Sequence, residues 1–395
     1  MKYKKIVLTV IIFVIGSIAI QWFKNAQSEE IPAVALKPLE KVWTRMDTLI
    51  HAYDSLIMQQ LEEAGTIGAA MVVVYNGEVV LLKCFGERQK GSGDPVNQHT
   101  VFRLASVSKT FTGMLAAKLS LQNKVPLNSK VIDYVPSFRL KDTVNTFRLE
   151  ISHLLSHTTG LVPYAYDNLV ESGWSLKMIM DSLYRVDING PPGTYYSYQN
   201  VAFSLYDTIS ELATGKSFDL LMKKEIFDPL GMRDASVGLE PFKERKNKAW
   251  PHVGSKGNFR ATKENLRYYN TNPAAGVNIS IDDMASYLLA LTGHQTKSID
   301  TIIINEIITP RIPTPLRWNY LRNWKKVESK EYGLGWRVIG AYGNQIAYHG
   351  GYVEGYRAEI AFCRDEDFGI ALLSNSPNGV ESGIIPLFLD LYFGE

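Results

Sequence analysis

This sequence predicts an α+β fold: an antiparallel sheet flanked by helices, with an inserted, mostly helical domain. Three observations carry the prediction. Short β-branched runs lie near both ends of the chain, helically spaced text lies between them, and an Asn-Gly pair demands a hairpin.

In chain order, Val42, Met46, Leu49, Ile50, Tyr53, Ile57 and Leu61 recur at helical spacing and predict a first helix. Two β-branched runs follow, from Met71 to Tyr75 and from Val79 to Phe85, separated by Asn76-Gly77. That pair tolerates positive φ at both positions, so a two-residue type I′ turn and antiparallel strands are expected. Far along the chain, the stretches Tyr332 to Ile339, Gln345 to Tyr348, Ala358 to Cys363 and Gly369 to Leu373 read as strands, with turns at Gly343-Asn344 and at residues 365–367. Strands at both ends imply one sheet built from the two termini. Ser210 to Ala213 and Asp283 to Leu291 belong to the helical text between them. The polar, basic stretch from Lys243 to Asn272 reads as a long surface excursion.

At roughly 150 residues per domain, 395 residues suggest two or three domains. The 42 basic and 40 acidic residues nearly cancel, which argues against a nucleic-acid protein, because a binding face of that kind needs a basic excess. With 46% apolar and 21% charged residues, a disordered chain is excluded. Cys84 and Cys363 are too few for a disulfide framework or a zinc site, and the two are not expected to pair. The 21 tyrosines and 16 phenylalanines are enough that some should line a pocket.

Lys2, Lys4 and Lys5 precede an apolar run from Ile6 to Ile20. The run is short for a spanning helix and suits either a cleaved signal or a retained anchor over residues 1–25. Both readings place the rest of the chain outside the cytoplasm, because the lysines stay inside. Residues 26–39, with Glu29, Glu30, Pro32 and Pro38, read as a linker.

The chemistry narrows by exclusion. No Gly-x-Ser-x-Gly or His-Glu-x-x-His occurs, and His153 with His157 lacks further ligands, so no metal or other cofactor is expected. Ser106-Val107-Ser108-Lys109 is the one Ser-x-x-Lys of the chain, and it opens a helical stretch through Phe111, Met114, Leu115 and Leu119. Residues three apart in a first turn share a face, so Ser106 Oγ can meet Lys109 Nζ. A desolvated lysine can lose its proton near neutral pH and activate a serine, while free N–H groups at the helix start hold developing negative charge.

The segment from Phe102 to Gly113 resembles the active-site segment of class C β-lactamases and related penicillin-binding serine hydrolases. Four further passages are similar to that family in the same order: residues 151–161, Pro192-Gly193 with Tyr198-Gln199-Asn200, residues 226–232, and Tyr348-His349-Gly350-Gly351. The resemblance spans residues 45 to 390 and implies a β-lactamase/transpeptidase-like fold. The sheet part would comprise residues 40–119 and 271–395, and residues 120–270 would be the inserted helical part. It further implies that Ser106 is acylated, that Lys109 takes its proton, and that Tyr198 exchanges protons with Ser106 and the leaving group with its pKa lowered by Lys109. Asn200 would bond Lys109 and a substrate amide. His349 and Gly351 would form the substrate-binding strand, and the N–H groups of Ser106 and Tyr352 the oxyanion hole. Asn200 could also cap the helix that begins near it, and Asn375 or Asn378 could touch a substrate carboxylate.

The third motif departs from the family. Class C β-lactamases carry Lys-Thr-Gly where this chain has His349-Gly350-Gly351. A mostly neutral histidine binds a carboxylate more weakly than lysine unless an arginine such as Arg357 compensates. The departure weighs against β-lactam hydrolysis and leaves acyl-serine chemistry in place. The expectation is an extracytoplasmic serine hydrolase acting on an ester or peptide-like amide. A β-lactamase and a slowly acylated penicillin-binding-like protein are the alternatives.

Overall fold

The structure, a computed structural model, describes residues 40–315, 321, 323–377 and 381–394, without the side chains of 40–45, 381 and 382. The expected signal or anchor segment, the linker and Asn378 lie outside the described residues. Among the described residues no helix is long and apolar enough to cross a membrane. Two compact units are distinguished, Met1–Thr48 and Leu49–Glu395. The first contributes only the start of helix α1 (Glu40–Glu63) to the described residues.

The second unit is built on one eight-stranded antiparallel sheet. Its strands are β1 (Gly68–Tyr75), β2 (Glu78–Gly86), β3 (Ile312–Pro313), β4 (Val327–Tyr332), β5 (Arg337–Ala341), β6 (Asn344–Val353), β7 (Tyr356–Cys363) and β8 (Phe368–Ser374). The order β2-β1-β8-β7-β6-β5-β4-β3 joins the N-terminal hairpin to the C-terminal meander, so the sheet is assembled from both termini. Asn76 and Gly77 have φ of 48° and 78°, as a type I′ turn requires. Cys84 and Cys363 are free thiols.

Helices cover both faces, which is why β1 is buried almost throughout and reads as a continuous apolar run. On one face Tyr53 of α1 and Phe388 of the C-terminal helix (Glu381–Phe393) meet edge to face at 5.4 Å, and Phe368 of β8 packs 5.3 Å from Phe388. On the other, Val72 and Ala371, paired across β1 and β8, join the main core with helix Ile281–Leu291. Helix Ser108–Leu121 lies within this core with residues 108–117 all buried, hence its lack of a polar face. Phe111 stacks on Tyr287 at 3.9 Å.

The single strand expected over Tyr332 to Ile339 is two. β4 ends at Tyr332 and β5 begins at Arg337, and the turn between them is pressed against helix Ser108–Leu121. Gly335 has φ of 74°, and a Cβ there would stand 2.1 Å from Lys109 O, so only glycine fits. The N–H groups of Leu334 and Gly335 leave the sheet to donate to Ile307 O and Leu155 O. The turn between β5 and β6 is Tyr342-Gly343, one residue earlier than expected.

Residues 120–270 carry mostly short helices and the long helix Asn200–Thr214. The stretch from Lys243 to Asn272 is more than a surface excursion. Ala249, His252, Phe259 and Tyr269 are buried in it, and Ala249 O accepts from Tyr356 Oη at 2.8 Å.

Candidate active site

Ser106 stands where a 3₁₀ turn, Ala105–Val107, runs into helix Ser108–Leu121. Ala105 before it has φ of 48°, a left-handed conformation that costs a residue with a Cβ about 1 kcal/mol and points to a held geometry. Lys109 is one turn on, fully buried, with Nζ 3.3 Å from Ser106 Oγ. Its Nζ also donates to Asn200 Oδ1 at 2.8 Å and to Ala274 O at 3.0 Å. Both of those oxygens can only accept. With Ser106 Oγ they give Nζ three contacts; when the amine is neutral, its two hydrogens go to these two oxygens and its lone pair can face the Ser106 hydroxyl. Burial holds the Lys109 pKa well below the ordinary lysine value; Asp167 opposes that shift and Arg337 adds to it.

Asn200 is the first residue of its helix and does not cap it through its side chain, contrary to the capping expectation. Its Oδ1 is taken by Lys109 and its Nδ2 donates to Asp167 Oδ2 at 2.8 Å. Asp167 thereby sets which way the amide faces. Burial raises the Asp167 pKa, partly offset by the bond from Asn200.

Tyr198 is buried over this cluster, its ring 4.7 Å from Lys109 Nζ and its hydroxyl hydrogen-bonded to Ser106. Its pKa is not lowered, as was expected, but pushed up to about 12 by burial. The cation that partly offsets the rise is Arg337, whose Cζ lies 5.7 Å from the same ring. Tyr198 is positioned by the turn at His157. Ser197 N donates to His157 O, Gln199 N donates to His157 Nδ1, and the His157 ring lies 4.2 Å from the tyrosine ring. Tyr164 N donates to Tyr198 O, which ties the segment to the turn leading into helix Asp167–Glu171.

The third motif lies on β6. β5 begins with Arg337 opposite Tyr348, so past Tyr348 β6 is paired only with β7 and its other edge is turned toward Ser106. A Cβ on Gly351 would stand 2.3 Å from Leu104 O and 3.0 Å from Ser106 N, so this glycine lets the strand lie against the serine's backbone. Tyr352 follows, 55% exposed, with Arg357 over its ring at 4.5 Å.

His349 is fully buried. Its Nδ1 donates to Gly350 O at 2.8 Å, so Nε2 is the acceptor for Tyr332 Oη and Arg337 Nη1, each at 3.1 Å. Burial, with Arg337 and Lys109 nearby, holds its pKa well below the ordinary value, and the ring is neutral at pH 7.

The arginine that reaches this cluster is therefore Arg337. Arg357 sits one strand further on, with Nε donating to Pro377 O. Asn375 is buried, and its amide donates to Glu87 O and Arg88 O, bonds that tie β8 to the end of β2. It is a structural residue.

Ser106, Lys109, Tyr198, Asn200, His349 and Gly351 are thus brought together, with Tyr352 at the rim. Sequence reasoning missed Asp167, Arg337 and the ring contact of His157. Asp167 left no signal, since no spacing links it to a residue 33 positions away. Arg337 left a faint one, an arginine in an otherwise apolar strand run.

A family model, Beta-lactamase, matches residues 53–390 of the chain. A beta-lactamase of Escherichia coli (strain K12) is 24% identical over 352 residues, covering 80% of this chain and 85% of that protein. Esterase EstB of Burkholderia gladioli is 30% identical over 209 residues, which is 49% of this chain and 53% of the esterase. Among solved structures, the octameric penicillin-binding protein homologue from Pyrococcus abyssi aligns with a TM-score of 0.75 at 22% identity. That alignment covers 88% of this chain and 78% of the other, and is a likeness of fold.

Proposed function

The chain belongs to the Beta-lactamase family of serine hydrolases, and from that premise we propose that it cleaves an ester or peptide-like amide through an acyl-enzyme at Ser106. The observation that carries the proposal is the buried contact between Lys109 Nζ and Ser106 Oγ. In the neutral amine, whose two hydrogens go to Asn200 Oδ1 and Ala274 O, the lone pair is free to face the serine.

Ser106 Oγ attacks the carbonyl carbon and its proton passes to Lys109. The oxyanion is held by N–H groups of Ser106 and Tyr352. Tyr198, protonated at neutral pH with a pKa of about 12, gives its proton to the departing oxygen or nitrogen and regains one from Lys109. Water then attacks the acyl-serine by the reverse route, and the acid leaves. The exposed rings of Tyr164, 5.6 Å from the Tyr198 ring, and of Tyr352, next to Gly351, favour an acyl or leaving group with apolar surface. The lysine-flanked apolar run at the N-terminus supports a place of action outside the cytoplasm. The mass of the mature protein from cell fractions tests that placement.

A fluorophosphonate probe, read by intact mass, tests the nucleophile. One adduct on the wild type and none on Ser106→Ala is expected; an unlabelled wild type, or label retained in the variant, sinks the proposal. Turnover of a p-nitrophenyl ester against nitrocefin then selects the substrate class. The second reading, a β-lactamase, is favoured by the similarity to the Escherichia coli enzyme over 80% of the chain and predicts that nitrocefin is the better substrate. A stable penicillin adduct without turnover would point to a penicillin-binding-like protein.

A further inference from the structure

The fixed cation missing from the third motif is present in the site, carried by the neighbouring strand. Arg337 opens β5 opposite Tyr332 on one side and Tyr348 on the other, and it is 8% exposed. Nη1 donates to His349 Nε2 at 3.1 Å, and Cζ is 5.7 Å from the Tyr198 ring centroid. Lys109 Nζ is 4.7 Å from that same centroid, so the two cationic heads stand no more than about 10 Å apart.

Two positive charges that close in a buried space repel, and arginine cannot give up its proton. Lysine can. The other groups facing Lys109 are Ser106, the Asn200 amide, Ala274 O, the Tyr198 phenol, the neutral rings of His157 and His349, and one anion, Asp167, which favours the charged amine.

We propose that Arg337 is a positioning residue of the hydrolytic site, the fixed cation that offsets Asp167 and keeps Lys109 in its neutral, proton-accepting form. It acts through charge and through its bond to His349, without touching the substrate. The proposal rests on Ser106 and Lys109 serving as nucleophile and base. Burial alone lowers the proton affinity of Lys109, and Arg337 and Asp167 pull it in opposite directions from that point.

The experiment is the pH profile of kcat/KM on a neutral p-nitrophenyl ester for the wild type, Arg337→Met, Arg337→Gln and Arg337→Lys, with Ser106 labelling and thermal melting recorded for each. The acid limb reports protonation of Lys109. Removing the cation should move that limb up by about one pH unit, while Arg337→Lys should keep it near the wild-type position. A residue that only packs would lower activity at every pH and leave the limb in place. Folded, labelled neutral variants with an unmoved limb overturn the proposal. So does Arg337→Lys shifted as far as Arg337→Met. If neither neutral variant folds, the lysine variant carries the test, and a limb displaced upward refutes the charge role. A wild type that never labels at Ser106 overturns the acyl-enzyme reading and this one with it, whereas a labelled wild type with unmoved limbs overturns this one alone.

Discussion

Replacing Gly351 by alanine tests whether the third-motif strand must lie against the serine. The added Cβ would stand 2.3 Å from Leu104 O, 3.0 Å from Ser106 N and 3.1 Å from Val107 N. All three are backbone atoms at the start of the catalytic helix, so no side chain can swing aside. A carbon settles about 3.3 Å from a carbonyl oxygen, so the strand and the serine must part by about 1 Å. A displacement of about 1 Å in a reacting geometry costs about 100-fold in rate, and overpacking of this kind costs about 1–3 kcal/mol of stability. The comparison variant is Gly350→Ala, where the nearest atom is Tyr348 Oη at 2.9 Å, the far end of a side chain. Its loss should stay below about tenfold, because a small rotation of that phenol relieves the contact. The assay is kcat/KM on a p-nitrophenyl ester together with the rate of fluorophosphonate labelling, with thermal melting to establish that both variants are folded. Wild-type kcat/KM in Gly351→Ala, or equal losses in the two variants, would refute the reasoning.

Three further outcomes follow from the same geometry. Lys109→Met keeps the volume and removes the base, so ester turnover and Ser106 labelling should both fall by about 10²–10⁴-fold in stopped assays while the melt stays cooperative. Asp167→Ala removes the anion that raises the Lys109 pKa, so the acid limb of the pH profile should move to lower pH, and kcat should fall because Asn200 loses the partner that orients it. A limb that stays put would separate Asp167 from the lysine. Asp283 is buried beside Asp234, and its pKa is raised from 3.8 to about 7. A raised pKa means that the folded state holds the proton longer than the unfolded one. The associated stability is therefore complete below about pH 4 and lost as pH rises through about 7, up to a few kcal/mol. Asp283→Asn should flatten that decline in denaturant titrations at pH 5 and pH 8, and an unchanged slope would assign it to other groups.

The parts of the fold legible in the sequence were those with a local cause. The hairpin at Asn76-Gly77 follows from two residues that accept positive φ. The burial of helix Ser108–Leu121 agrees with its apolar surroundings in sequence, and Ser106 meets Lys109 because three residues make one turn. The break between β4 and β5 was hidden, because Tyr332 to Ile339 alternates acceptably as a strand. What interrupts it is the close approach of another element, at Gly335 against Lys109 O. The direction of the Tyr198 pKa was also misjudged. The family resemblance implied a phenol acidified by Lys109, but full burial outweighs the one offsetting cation, Arg337, and raises it to about 12.

By itself the sequence determined the class of fold, the order of the motifs, and the meeting of Ser106 with Lys109, since these depend on periodicity and on residues close together in the chain. The near-balance of charge argued against nucleic acid, yet a net charge of +2 could not reveal that Lys109 and Arg337 converge on one phenol. Only the tertiary structure decided that the fixed cation is Arg337 and not Arg357, that Asp167 orients Asn200, and that His349 is a neutral acceptor turned inward. The reason is physical. Strand register and loop docking set which distant residues share a buried space, and burial magnifies the charges found there.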